Sequence, residues 1–257
     1  MVETEFYDEY YDRIYSIGRK FNDDETKRIS TILNMIPQNV DSLLEVGCGE
    51  GKIINPLIGK YNRICGVDIS DEALKNVKTS KIKGRAENLP LTSNSFDIVL
   101  CCEVLEHLPV HLYKKSLKEL QRVSREYILI SVPNDEDLER GKISCPQCEY
   151  SFHTHGHLRS FNFSNIKNLF PDYELIKYDT VPVEVFMFNE LVVKIKKLLK
   201  KPFFKFEAQL CPKCGFFYSN EKSKSNNDNS QPILEKLPLK LPMKKTGGWI
   251  IALYKKT

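Results

Sequence analysis

Apolar and polar positions change their period along this chain. Over residues 3–36, charged and aromatic residues recur at helical spacing up to Pro37, which predicts a helical segment. From residue 40 the pattern becomes VDSLLEV (40–46), YNRICGVDI (61–69), SFDIVLC (95–101) and EYILISV (126–132). These short runs rich in β-branched residues predict strands, and the intervening DEALKNVKTS and HLYKKSLKELQRVS predict amphipathic helices. Strands alternating with helices predict an α/β, doubly wound, mostly parallel sheet with helices on both faces. Beyond Val132 come a Pro-Asn-Asp loop, a Cys/His stretch, a helical FSNIKNLF with Ser164 as its N-cap, and a strand YELIKYDTV (173–181). FMFNELVVKIKKLLKK (186–201) predicts a basic amphipathic helix, SNEKSKSNNDNSQP (219–232) a mobile polar loop, and GGWIIALYKK a last strand.

A chain of 257 residues fits one large α/β domain with an embellishment. The expected organisation is an N-terminal helical cap (1–36), a ligand-binding core (37–185) with a Cys/His loop at 143–161, a basic insertion (186–246) and a final core strand (247–257). No apolar run reaches 18 residues, and MVETEFYDEYYDRIYS lacks the basic-then-apolar order of a signal peptide, so a cytoplasmic protein is expected. Net charge is +4, yet residues 191–257 hold fifteen lysines against four acidic residues. The basic character is local. It suits an anionic acceptor, RNA, or peripheral contact with a membrane surface, or a helix packed on its own domain with a solvated basic face.

LLEVGCGEGK sets Gly47, Gly49 and Gly51 directly after a strand, where the missing Cβ lets backbone approach a ligand, with Glu45 two residues ahead. Asp68, followed by Ile69, ends the next strand 17 residues after Gly51, where a carboxylate can accept hydrogen bonds from both hydroxyls of a ribose. Together they predict an adenosine-containing ligand. CPQC (Cys145, Cys148) and CPKC (Cys211, Cys214) are knuckle-like pairs suited to one structural Zn2+, whereas Cys48, Cys65, Cys101 and Cys102 read as core. EVLEHLP places Glu103, Glu106 and His107 at i, i+3 and i+4, so one helical turn would bring them to one side, as an acid/base cluster or as ligands of a divalent ion.

LLEVGCGEGK, GVDIS, GRAENLPLTSNSFDIVLCCEVLEHLP and the closing GGWIIALYKK, in this order, resemble class I S-adenosylmethionine-dependent methyltransferases over about residues 30–182 and 247–255. The resemblance implies a Rossmann-like sheet of seven strands whose last strand is antiparallel and inserted beside the fifth. It implies that the glycine loop faces the methionine part of S-adenosyl-L-methionine, that Asp68 holds the ribose, and that Arg85-Ala86-Glu87 lies against adenine. Many members have Asp where this chain has Arg85. EVLEH further resembles small-RNA 2′-hydroxyl and ubiquinone-pathway O-methyltransferases, which implies a metal such as Mg2+ at Glu103, Glu106, His107 and, from the HxH stretch, His157.

The CCEV segment lacks the Asn/Asp-Pro-Pro-Tyr type of sequence that goes with amino-group methylation, which favours an oxygen acceptor, with His107 or His157 as base or metal ligand and Glu103 beside them. The expected activity is methylation of a hydroxyl on a small molecule, glycan or lipid-linked acceptor. An RNA methyltransferase that uses the basic knuckle insertion as its platform is the alternative. A cofactor-binding scaffold that activates a partner is the reading outside enzymology.

Overall fold

The computed structural model describes residues 2–17, 23–139, 141–185, 208–219 and 244–257. The helix and most of the loop expected over 186–201 and 219–232 lie outside them. By contacts the chain divides into two units, one of residues 1–136, 158–183 and 247–257, the other of residues 137–157 and 184–246. Residues 143–157 of the Cys/His loop, counted with the core in the sequence, thus fall with the insertion, and 158–161 with the first unit. Among the described residues no helix is long and apolar enough to cross a membrane.

In the first unit, α1 (Val2–Ile17) and α2 (Asp23–Met35) precede β1 (Ser42–Val46), β2 (Arg63–Asp68), α3 (Asp71–Leu74), β3 (Ser80–Lys83), β4 (Phe96–Cys102), α4 (Val110–Val123), β5 (Ser124–Pro133), α5 (Phe163–Ile166), β8 (Tyr173–Val185) and β11 (Lys244–Lys256). They form one seven-stranded sheet in the order β3-β2-β1-β4-β5-β11-β8. β1 to β5 pair in parallel, and β11 runs antiparallel to β5 with Ile250 opposite Val132. Successive residues of the central strands face opposite sides of the sheet. Val99 and Cys101 join a cluster with Leu120 of α4 and Ile166 of α5, while Ile98 and Leu100 join Ile32 and Met35 of α2. Both faces are therefore covered, which explains the nearly unbroken apolar runs.

Cys48, Cys65, Cys101 and Cys102 are buried, as their surroundings in the sequence implied. Two local readings change. DEALKNVKTS stays helical only through Leu74, because the Asn55 side chain takes the Lys78 N–H (2.9 Å) and donates to the Asn76 carbonyl (3.0 Å), turning the chain into β3. FSNIKNLF is capped not by Ser164 but by Asn162, whose side chain accepts the Asn165 N–H (3.1 Å) while Asn165 accepts the Asn162 N–H (2.9 Å). Asn at the third helical position returns the bond as Glu or Gln does in a capping box, so the signal lay two residues earlier.

This cap can be tested directly. Asn162→Ala should lower unfolding stability by about 1 kcal/mol in urea titration, and Ser164→Ala should stay within about 0.5 kcal/mol.

Candidate functional site

Where β1 and β4 lie side by side while their connections leave to opposite sides, the carboxyl ends of the strands open into a cleft, the usual ligand position in a doubly wound sheet. A cavity of about 100 Å3 is lined by Gly47, Asp68, Ile69, Arg85, Ala86, Glu87, Glu103 and His107 among others. Of the residues singled out in the sequence, these eight come together. Gly49, Gly51 and Glu45 support them from behind. Gly47 and Gly49 have φ of +74° and +50°; a Cβ on the first would lie 2.1 Å from Val104 Cγ2, and on the second 2.5 Å from the Tyr15 hydroxyl. Neither position admits a side chain without rebuilding the loop. Gly51 faces Asn55.

Asp68 ties the loop to the second strand. Its Oδ2 accepts the Gly49 N–H at 2.7 Å and its Oδ1 the Ser70 N–H at 2.9 Å. Burial raises its pKa, against the pull of those N–H groups. Each oxygen keeps a further lone pair for a ligand hydroxyl. Glu45 is buried, with one oxygen lacking a hydrogen-bond partner, and its burial, only partly offset by Arg28, holds its pKa well above the usual carboxylate range.

The sequence reading treated the N-terminal helices as a cap without naming residues in it. In the structure Tyr11 and Tyr15 of α1 line the cleft. Asp12 accepts the Ser70 hydroxyl (2.5 Å) and the Glu72 N–H (3.0 Å), and Asp8 pairs with Arg85, whose Nε also bonds Glu87 Oε1 at 2.6 Å. Arg85, the departure from the common Asp, thus joins the segment from Arg85 to Glu87 to α1. From α2 comes Arg28, 7% exposed, whose Nε and Nη1 make no hydrogen bond; Nη1 is 3.8 Å from Glu103 Oε1 and the guanidinium lies 5.4 Å from the Trp249 ring centre. A signal for it existed: Glu25, Arg28, Ile32 and Met35 form the buried stripe of α2, so two charged residues occupy inward positions.

The EVLEH segment departs from the single helical turn expected. Glu103 ends the strand with φ +57°, a conformation that costs about 1–2 kcal/mol for a residue with a Cβ, and its Oε2 accepts the Trp249 indole N–H at 2.7 Å. A short 3-10 turn, Leu105–His107, follows. Glu103 and His107 therefore face the cleft, where the Tyr11 ring meets His107 edge-on at 6.3 Å, while Glu106 is fully buried behind them. Glu106 Oε1 lies 3.8 Å from His107 Nε2, and neither Glu106 oxygen has a hydrogen-bond partner. Burial, reinforced by the Glu103 charge, raises its pKa well above the usual range.

The second unit contains two matching hairpins, β6 (Lys142–Ser144) with β7 (Ser151–His153) and β9 (Ala208–Leu210) with β10 (Phe217–Ser219). Each turn is a CPxC knuckle. In the first, the Cys145 N–H bonds the Tyr150 carbonyl and the Glu149 N–H the Cys145 carbonyl; in the second, the Cys211 N–H bonds the Phe216 carbonyl and the Gly215 N–H the Cys211 carbonyl. Cys145 Sγ lies 3.6 Å from Cys214 Sγ, and Cys148 Sγ 3.7 Å from Cys211 Sγ, and all four thiols lie within 4.8 Å of one another. Disulfides need about 2.05 Å. A tetrahedral ion with 2.3 Å bonds to sulfur sets its ligands about 3.8 Å apart, so the four thiols fit one such ion. Burial opposes a charged Cys145, but the N–H groups of Cys148 and Gln147 and the neighbouring thiols hold its thiolate and bring its pKa down to about 7. His157 belongs to this unit, where its ring stacks 4.8 Å from that of His153 and its N–H approaches His153 Nδ1 at 3.3 Å.

Residues 44–127 match the family described as a methyltransferase domain. An uncharacterized protein of Methanocaldococcus jannaschii is 35% identical over 122 residues, covering 46% of this chain and 52% of that protein. A ubiquinone biosynthesis O-methyltransferase of Albidiferax ferrireducens is 27% identical over 93 residues, covering 32% and 37%. The chain thus spans about half or less of these curated relatives. A crystal structure of a SAM-dependent methyltransferase from Archaeoglobus fulgidus shares the fold, with a TM-score of 0.54, 18% identity, and coverage of 90% of this chain and 94% of that one.

Two outcomes follow from the geometry. A carboxyl whose pKa is higher folded than unfolded stabilises the native state fully below the unfolded value and less as pH rises above it. Glu106→Gln, which removes the titration, should therefore gain stability relative to the parent protein as pH rises from about 5 to 8 in urea titrations. A loss instead would show an ionised carboxylate paired with a cation. In the second unit Glu149 (φ +58°) and Gly215 (φ +69°) occupy equivalent left-handed positions. Glu149→Gly should slow hydrogen exchange at the Cys145 amide, and Gly215→Ala, with open space around its Cβ, should speed exchange at Cys211 through backbone strain of about 1 kcal/mol.

Proposed function

Starting from residues 44–127 as a methyltransferase domain on a class I, Rossmann-like fold, we propose that the protein uses S-adenosyl-L-methionine to methylate a hydroxyl of a small molecule, glycan or lipid-linked acceptor. The observation that carries cofactor binding is the cleft itself, with the doubly anchored Asp68 beside a glycine loop that excludes a Cβ. Asp68 would take the ribose hydroxyls, the segment from Arg85 to Glu87 the adenine, and the orphaned donors of Arg28, across from Glu103, the carboxylate of the amino-acid end. When bound, the cofactor supplies an electrophilic methyl carbon on a sulfonium.

The protein's own task is then positioning and removal of one proton. His107, at the cleft with its Nε2 3.8 Å from Glu106 Oε1, is the residue to receive the acceptor's hydroxyl proton. Glu103, oriented by the Trp249 indole, sets the polarity at the same end of the cleft. Tyr11 and Tyr15 of α1 shield it from water. An oxygen acceptor agrees with the name of the O-methyltransferase relative and with CCEV after β4. In the second unit Cys145, Cys148, Cys211 and Cys214 hold a structural Zn2+.

One observation favours a second reading with RNA as the acceptor. Exposed Tyr150 and its neighbour Phe152 lie within 10° of parallel, and Lys213 Nζ lies 5.8 Å from the Tyr150 ring centre, a surface on which bases can stack. Retention of radiolabelled RNA that weakens steeply with salt would support this reading over the first.

Calorimetry tests the cofactor assignments. Asp68→Ala should weaken S-adenosylhomocysteine binding at least about tenfold, and Arg28→Met should weaken it while leaving 5′-methylthioadenosine, which lacks the carboxylate, unchanged. Elemental analysis should find one zinc per chain, lost in Cys211→Ser together with the folded hairpins; zinc that survives the substitution would refute the shared site.

A further inference from the structure

The seven residues from Glu103 to Pro109 join β4 to α4, and they have little to hold their own shape. The 3-10 turn has one internal backbone bond, from the His107 N–H to the Val104 carbonyl at 3.1 Å, and no side-chain cap. Short 3-10 turns have poorer hydrogen-bond geometry than an α-helix. The residue that leads into the next helix is Pro109, which offers no N–H and no side-chain cap. Yet this segment carries His107 and Glu103 at the cleft and the buried Glu106.

Its first residue is held by the Ser131 carbonyl and the Trp249 indole, and the turn beyond it by the segment by which the chain returns to the first unit. The Leu158 N–H bonds the Glu106 carbonyl at 2.8 Å. Arg159 Nη1 bonds the Leu105 carbonyl at 3.0 Å, and Nη2 bonds the Leu108 carbonyl. The guanidinium lies flat enough on Tyr113 of α4 to bring its carbon 3.8 Å from the ring centre, so the fork is held from behind while it grips the turn from both ends. Planar, two-pronged donation of this kind is a property of arginine that lysine lacks. Its charge also acts on Glu106 across the turn.

We propose that Arg159 is a positioning residue of the acceptor site, which sets Glu106 and His107 against the cofactor cleft by clamping the carbonyls of Leu105 and Leu108. The assignment rests on the methyltransferase reading for the meaning of the site, not for the clamp.

Hydrogen exchange followed by NMR on the full chain tests it without knowledge of the acceptor. Arg159→Met keeps a stem over Tyr113 and removes both donors; Arg159→Lys returns one. The His107 amide should exchange about tenfold faster in the Met variant, with partial recovery in the Lys variant, while the Leu100 and Leu129 amides of the core keep their rates. The His107 ring signals should shift in the same order, and S-adenosylhomocysteine should bind within about threefold of the parent affinity, because Asp68 and the glycine loop are untouched. A His107 amide that does not respond, or one that accelerates only in step with Leu100 and Leu129, would overturn the assignment alone. A parent protein that does not bind S-adenosylhomocysteine would overturn it together with the reading on which it rests.

Discussion

The carboxylate of Asp68 is the constraint on which the site depends. It stands at the end of β2, accepts one N–H from the glycine loop after β1 and another from Ser70, and Ser70 in turn caps α3 and donates its hydroxyl to Asp12 of α1. Two strand ends, a loop and two helices are thereby referred to one buried group. Burial disfavours its charge, and the backbone donors on both sides are what make a carboxylate tolerable there. The glycine loop can take its left-handed path only because Gly47 and Gly49 lack side chains, with Val104 and Tyr15 packed where a Cβ would be.

A second group of charges lies at the edge of the cleft and behind it: Glu103 at the edge, and Arg28, Glu45 and Glu106 behind. Three carboxyls and one guanidinium in apolar surroundings cannot all be ionised cheaply, and Glu45 and Glu106 respond with raised affinities for a proton. Glu103 differs, because the Trp249 indole donates to it and it reaches the cleft. The strand inserted in reverse between β5 and β8 thus contributes to the site through Trp249 as well as completing the sheet. The sense of the last strand and the polarity of the cleft are linked by one hydrogen bond.

The two knuckles show the same economy in the second unit. Each places two thiols on a turn closed by the same pair of backbone bonds, although one has Gly at the left-handed position and the other Glu149. The four sulfurs converge from segments separated by the 62 residues that lie between Cys148 and Cys211. Sequence spacing alone made that convergence a conjecture, since nothing in a CxxC pair says which other pair shares its ion.

The sequence by itself determined six strands of the sheet, because period and β-branching record burial, but not β3, a short edge strand of mostly exposed residues, and it located the glycine loop with Asp68, because glycines after a strand and an acidic residue at the end of the next are a legible pattern. It also located the cysteine knuckles and the EVLEH segment. Only the tertiary structure decided that Arg85 turns toward Asp8 and Glu87, that Tyr11 and Tyr15 line the cleft, that Arg28 and Trp249 contact Glu103, and that Glu103 and His107 face the cleft while Glu106 lies beneath it. The cap at Asn162 and the early end of α3 belong here too, since side chains of Asn165 and Asn55 fixed them. The physical reason is common to all of these: the roles are set by partners distant in the chain or by a local turn chosen against propensity, and neither leaves a period in the sequence.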